Sequence, residues 1–273
     1  MKKMSSIYNL IMVLICFVLL FALHYRGMIY TAVYPVFRDI GQYRLSKSVA
    51  NYDIIEHDNF SISSYGEDEN NIDNIQQIID EYGDKVFGYF NYHTSKRIDV
   101  IVFPSKQELY STLKIDDDKS TIGAYFGGKV NLLSVDVLEK SGEDSSILTN
   151  VFVHELTHLV IDNMTRGNYP LWFTEGSALY MEYYLLGYEW GALVEDMRPF
   201  SMDKLTYEFD KLDDFLSYKQ SFLLVKGIIE TYGKDKYIEL IRKLGQGVDF
   251  SAACRLVLGV QPDELLLLTE LIQ

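Results

Sequence analysis

Cysteine is scarce, with two in 273 residues, Cys16 and Cys254. One lies in an apolar run and the other near the far end, which leaves no plausible intrachain disulfide. A disulfide-free domain can live on either side of a membrane. No repeat or low-complexity tract is visible. Positive charge is in deficit: 25 lysines and arginines stand against 39 acids, a net charge of −14. Phosphate binding needs a basic face, so nucleic acid is excluded as a partner. The same deficit argues against docking on anionic lipid, and its plain consequence is solubility. With 48% hydrophobic residues, the chain suits one globular domain, or two small ones, plus an appendage.

Long uncharged runs are also absent, except for one. Residues 4–23, "MSSIYNLIMVLICFVLLFAL", carry no charge. As a helix this run would be about 30 Å long, the thickness of one hydrocarbon core. A cleaved signal peptide would need small residues at a cut site, and "FALHYRG" has no such pattern. A lipoprotein cysteine would need a small residue before it, whereas Cys16 follows Ile15. The expectation is an uncleaved anchor at residues 1–25, hence a single-pass protein of the cell membrane. Lys2 and Lys3 ahead of the run stand against Arg26 and Arg38 behind it, so charge barely sets the orientation. A short basic tail before a large domain points to a domain outside the cytoplasm.

Residues 26–58 read as a stalk and domain entry, and residues 59–273 as one domain. Its first part, 59–144, alternates strand and helix signals. "NFSISSYG" reads as a strand. The run from Asp68 to Tyr92 has helical apolar spacing, with Gly83 as a candidate break. "RIDVIVF" reads as a buried strand stopped by Pro104, and "SKQELYSTL" as a short helix. "TIGAYFGGKVNLLS" reads as a hairpin turning at Gly127-Gly128. From Ser145 to the end, 145–273, the pattern is helical.

Histidine is also sparse, five in all, yet two fall in "NVFVHELTHLVID", residues 150–162. On a helix, positions four apart share one face about 6 Å apart. His154 and His158 therefore project together and can grip one metal ion. Glu155 sits about 100° round the helix, beside such an ion rather than on it. Neutral imidazoles leave most of a zinc ion's charge in place, and that charge lowers the pKa of a bound water toward about 7. A neighbouring carboxylate can then take the proton and pass it to a leaving amine. Two histidines on a buried helix could instead be hydrogen-bonded core residues. The zinc reading makes a further demand, a third ligand. Glu175, in "YPLWFTEGSALYMEYY", meets it: Pro170 blocks helix before it and a new helix starts near Thr174.

"HELTH" with a downstream carboxylate in "WFTEG" resembles the gluzincin zinc metallopeptidases, most closely the peptidase MA-like domains, over about residues 60–270. The resemblance implies an α+β, zincin-like fold, with a small mixed sheet, an edge hairpin and a mainly helical C-terminal part. It implies one Zn²⁺ per chain on His154, His158 and Glu175, with Glu155 as general base. It implies a substrate-pairing edge strand at Gly123, Ala124 and Tyr125. Tyr218, in "LSYKQSF", matches a tyrosine that donates to the transition state, with packing as its other reading. Asp162 has two readings: an outer-sphere carboxylate that orients a histidine, or a solvated acid at the helix end. One departure concerns specificity. Aminopeptidases of this clan carry Gly-Ala-Met-Glu-Asn on the edge strand, and the glutamate holds the free amine of the substrate. Here the run is Gly123-Ala124-Tyr125-Phe126-Gly127, without it.

Three functions follow as expectations. The first is a membrane-anchored endopeptidase acting on peptides or proteins. The second is a metal-bearing but inactive module that binds peptides or partner proteins. The third is a structural protein that keeps only the fold. A retained Glu155 speaks against the second, and a complete ligand set against the third.

Overall fold

The structure, a computed structural model, describes residues 25–66, 69–115, 121–194 and 198–271, with Met12, Ile15 and Cys16 before them. The anchor expected at residues 4–23 lies outside the described residues apart from those three. Among the described residues no helix is long and apolar enough to cross a membrane.

Five strands form one mixed sheet: β1 (Asp53–His57), β2 (Phe60–Ser64), β3 (Ile98–Phe103), β4 (Gly123–Phe126) and β5 (Lys129–Leu133), in the order β1-β2-β3-β5-β4. β1 and β2 form a hairpin, β2, β3 and β5 run parallel, and β4 returns antiparallel along β5. The central strands β2, β3 and β5 are buried along nearly their whole length, and β3 is the most apolar of them. The β4–β5 turn lies at Gly127-Gly128, and both glycines have positive φ, 59° and 73°. A two-residue turn of this hand matches the twist of its strands, and a side chain would resist that backbone. β4 is thereby left at the edge of the sheet.

Among the residues described from Tyr25 on, three helices precede or interrupt the strands: α1 (Arg26–Ser48), α2 (Glu69–Phe90) and α3 (Lys106–Leu113). The rest follow β5: α4 (Val135–Lys140), α5 (Ile147–Thr165), α6 (Leu171–Leu186), α7 (Met202–Tyr207), α8 (Asp214–Tyr232), α9 (Lys234–Gly245), α10 (Phe250–Val257) and α11 (Leu266–Leu271). α2 runs unbroken through Gly83, whose bare Cα faces the ring of Phe60. Phe60 stacks on Phe87 and meets Phe152, which ties α2 to the sheet and to α5.

Residues 26–58 do not stand apart as a stalk. Residues 26–48 form α1, which lies against the domain with Thr31 and Leu45 buried, and residues 53–57 form β1 of the sheet. The reason is a polar one. Tyr34 and Arg38 of α1 reach a buried acid on α5, a partner that no local pattern announces.

Candidate metal centre

α5 carries both motif histidines and is buried along most of its length. At its end the chain reverses. Arg166 and Gly167 take left-handed conformations, and Pro170 caps α6. Glu175 is the fifth residue of α6 and so enters on its second turn, facing α5. α6 in turn crosses α8 at close range: a Cβ on Gly176 would collide with the Ser221 carbonyl oxygen. Glycine at that position lets the helix bearing Tyr218 approach the ligand helix.

The three candidate ligands converge. Nε2 of His154 lies 3.4 Å from Oε2 of Glu175, and Nε2 of His158 lies 3.5 Å from the same oxygen. Two atoms each about 2.1 Å from one tetrahedral ion are about 3.4 Å apart. The spacing is therefore that of a zinc donor set. Oε2 of Glu175 is also buried without a hydrogen-bond partner, a costly state for a carboxylate unless a cation completes it. The far side of each ring is held as well. Nδ1 of His154 lies 2.7 Å from Glu182, and Nδ1 of His158 lies 2.7 Å from Thr174. Those partners turn both Nε2 atoms inward. A second grouping, His57, Asp58 and Asp80, lies at the surface, where His57 pairs with Asp80.

Burial opposes charge on His154. The neighbouring carboxylates of Glu175 and Glu182, with the charge of Glu155, outweigh burial and hold its pKa well above the usual histidine range. Burial likewise opposes charge on Glu175, but His158 and His154 keep its carboxyl far below the usual range. Glu155 goes the other way: burial raises it, and the two histidines only partly offset that. A carboxylate with a raised pKa beside a cation site is suited to accept a proton near neutral pH.

These groups line a cavity of about 650 Å³ together with Gly123, Ala124, Tyr125, Tyr169, Trp190, Asp214 and Tyr218. The edge strand touches Glu155 directly, since the Tyr125 amide donates to its Oε2 at 2.5 Å. Gly123 permits this approach, because a Cβ there would collide with the Val151 side chain of α5. Tyr218 is packed near Phe209 and Trp190. Burial, then the charges of Glu175, Asp214 and Glu155, push its hydroxyl far up, so it stays protonated and able to donate.

Asp162 fits neither of its two readings. It is fully buried, not a solvated helix-end acid, and among the described residues no histidine is bonded to it. It accepts from Tyr34 at 2.6 Å, Tyr125 at 2.7 Å and Tyr169 at 3.2 Å, and it pairs with Arg38 at 3.0 Å. Its link to the site runs through Tyr125, whose hydroxyl it holds while the amide of the same residue holds Glu155. The carboxylate that does orient a histidine is Glu182. It lies seven residues after Glu175, two turns along the same helix face, and that spacing was the available signal.

The family model described as Peptidase MA superfamily matches residues 90–266. The chain belongs to the peptidase MA superfamily. The match covers the edge hairpin, both ligand helices and α8, and leaves α1, β1 and β2 outside. No curated protein matches the chain. The peptidase MA domain is thus a metallopeptidase-type domain, and α1 is an addition to it that nevertheless reaches its centre.

Proposed function

We propose that this protein is a membrane-anchored zinc endopeptidase, its catalytic domain outside the cytoplasm, with His154, His158 and Glu175 as zinc ligands. The observation that carries the reading is the unpartnered buried oxygen of Glu175, about 3.4 Å from both Nε2 atoms. A zinc ion held there would supply Lewis-acid chemistry.

The protein's own residues supply the rest. Glu155 takes the proton of the attacking water and returns it to the leaving amine, and its raised pKa matches that double duty. The Tyr125 amide fixes one of its oxygens. Tyr218, kept protonated, donates to the oxygen on which charge develops. β4 offers its free side to an extended peptide through main-chain groups, which orients the scissile bond without demanding a particular side chain. The uncharged run at residues 4–23 supports the anchor.

The purified protein should carry one zinc per chain, and His158→Ala should lose it. Glu155→Gln should keep metal and fold but abolish hydrolysis. Wild-type protein that stays metal-free when prepared without chelator would overturn the assignment. An internally quenched peptide blocked at both ends should be cut at least as well as its free-amine counterpart. If only free N-termini are trimmed, the endopeptidase reading fails. Asp214 would then be the residue to test, because it is the cavity carboxylate that neither ligates nor acts as base.

A further inference from the structure

α1 has two faces. Thr31, Tyr34, Arg38 and Leu45 point to the domain, and Thr31 and Leu45 are only 4% and 3% exposed. The opposite face is apolar and open. Ile29, Val33, Val36, Ile40 and Tyr43 follow one another at intervals of four and three residues, which lines them up along one side of the helix. Val36 is 58% exposed and Tyr43 60%, and Phe37 beside them reaches 67%. Unlike isolated surface hydrophobics, a continuous stripe of this kind marks a contact surface.

We propose that this face of α1 lies on the lipid bilayer, in the plane of the headgroup boundary, and seats the peptidase domain on the membrane. The inference rests on the anchor reading and adds a second, independent contact to it. Three observations select lipid. First, the uncharged run ends at residue 23 and α1 begins at Arg26, so an anchored chain delivers this helix to the membrane surface. Second, α1 carries Arg26, Arg38, Arg44 and Lys47 against a single acid, Asp39, in a chain whose net charge is −14. With Arg38 turned inward to Asp162, the remaining cations flank the apolar stripe as in interfacial helices, where they meet anionic headgroups. Third, Tyr30, Phe37 and Tyr43 are exposed on this helix, and amphipathic or large aromatics favour the membrane boundary. A second copy of the chain fits less well. Pro35 sits inside α1, which disrupts the regular ladder that a helical pair needs.

The test uses the full chain in vesicles of phosphatidylcholine with about one quarter phosphatidylglycerol. Cys16 and Cys254 are replaced by serine and alanine. Single labelled cysteines are then placed at Val33, Val36 or Ile40, with a control at Ile54, exposed on β1, and another at Leu14. Labels on the α1 stripe should be quenched by a lipid-borne quencher and shielded from an aqueous one, and the Ile54 label should show the reverse. Water access at all three stripe positions, with Leu14 in lipid, overturns the proposal and leaves the anchor standing. Water access at Leu14 as well overturns both. Stripe labels shielded from both quenchers, with coupling between labelled copies, also overturn it and identify a second copy as the occupant. Removing the anionic lipid should weaken the quenching several-fold.

Discussion

At the scale of single residues, the centre depends on charges held against burial. Glu182 anchors Nδ1 of His154. Glu182→Gln should therefore keep the fold but weaken zinc binding by about 10- to 100-fold, measured by competition with a chromogenic chelator. Unchanged affinity would remove Glu182 from the design. A pH signature follows from His154. Its folded pKa is raised, so charge on His154 stabilises the metal-free fold below the unfolded value of about 6.5. That contribution is lost as pH rises through the raised folded value. The metal-free protein should therefore melt at a higher temperature near pH 6 than near pH 9, by about the linkage of one histidine. Zinc must displace the same proton, so its affinity should rise over that interval. Thermal scans at both pH values, with and without chelator, check both signs. Equal melting temperatures without metal would sink the linkage.

At the scale of elements, α1 acts as a brace across the sheet edge. Its Arg38 and Tyr34 hold Asp162 of α5, Asp162 holds the Tyr125 hydroxyl, and the Tyr125 amide holds Glu155. Arg38→Ala leaves a buried carboxylate without its cation and should cost about 3 kcal/mol of unfolding free energy. Arg38→Lys should recover part of that. Hydrogen exchange should show faster exchange of the β4 amides in the alanine variant, with zinc content kept. If β4 protection is unchanged, α1 does not brace the strand. This brace also shows where sequence reading stops. The hairpin, the ligand helices and the triad His154, His158 and Glu175 were legible because each rests on local spacing: two turn glycines, an interval of four, a helix restart after Pro170. α1 was read as a stalk because the polar contacts that fix it, Tyr34 and Arg38 to Asp162, cross more than 120 residues of sequence, and Leu45 is its single buried apolar side chain. A periodicity argument sees only apolar stripes, and the apolar stripe on α1 faces away from the domain. Asp162 was misread for the same reason, since its partners come from α1, from β4 and from the loop that holds Tyr169.

For the whole molecule, the proposed anchor carries a prediction about which side of the membrane holds the cavity. Orientation is set by lysines and arginines within about 20 residues of the membrane run. Ahead of the run at residues 4–23 these are Lys2 and Lys3, and behind it Arg26 and Arg38. Arg44 and Lys47 fall beyond that distance. That is two cations on each side, so charge alone does not choose between them. The proposed orientation, with Lys2 and Lys3 inside and the peptidase domain outside, rests on the short basic tail ahead of a large domain. The fold tolerates an oxidising compartment, because its one cysteine in the domain, Cys254, is buried and its thiol is pushed up to about 12 by burial. Such a thiol is a poor nucleophile for disulfide exchange. Protease added to intact protoplasts of the expressing cell should therefore degrade the domain, while a cytoplasmic marker survives. Full protection of the domain until the membrane is opened would place the catalytic cavity in the cytoplasm and reverse the orientation.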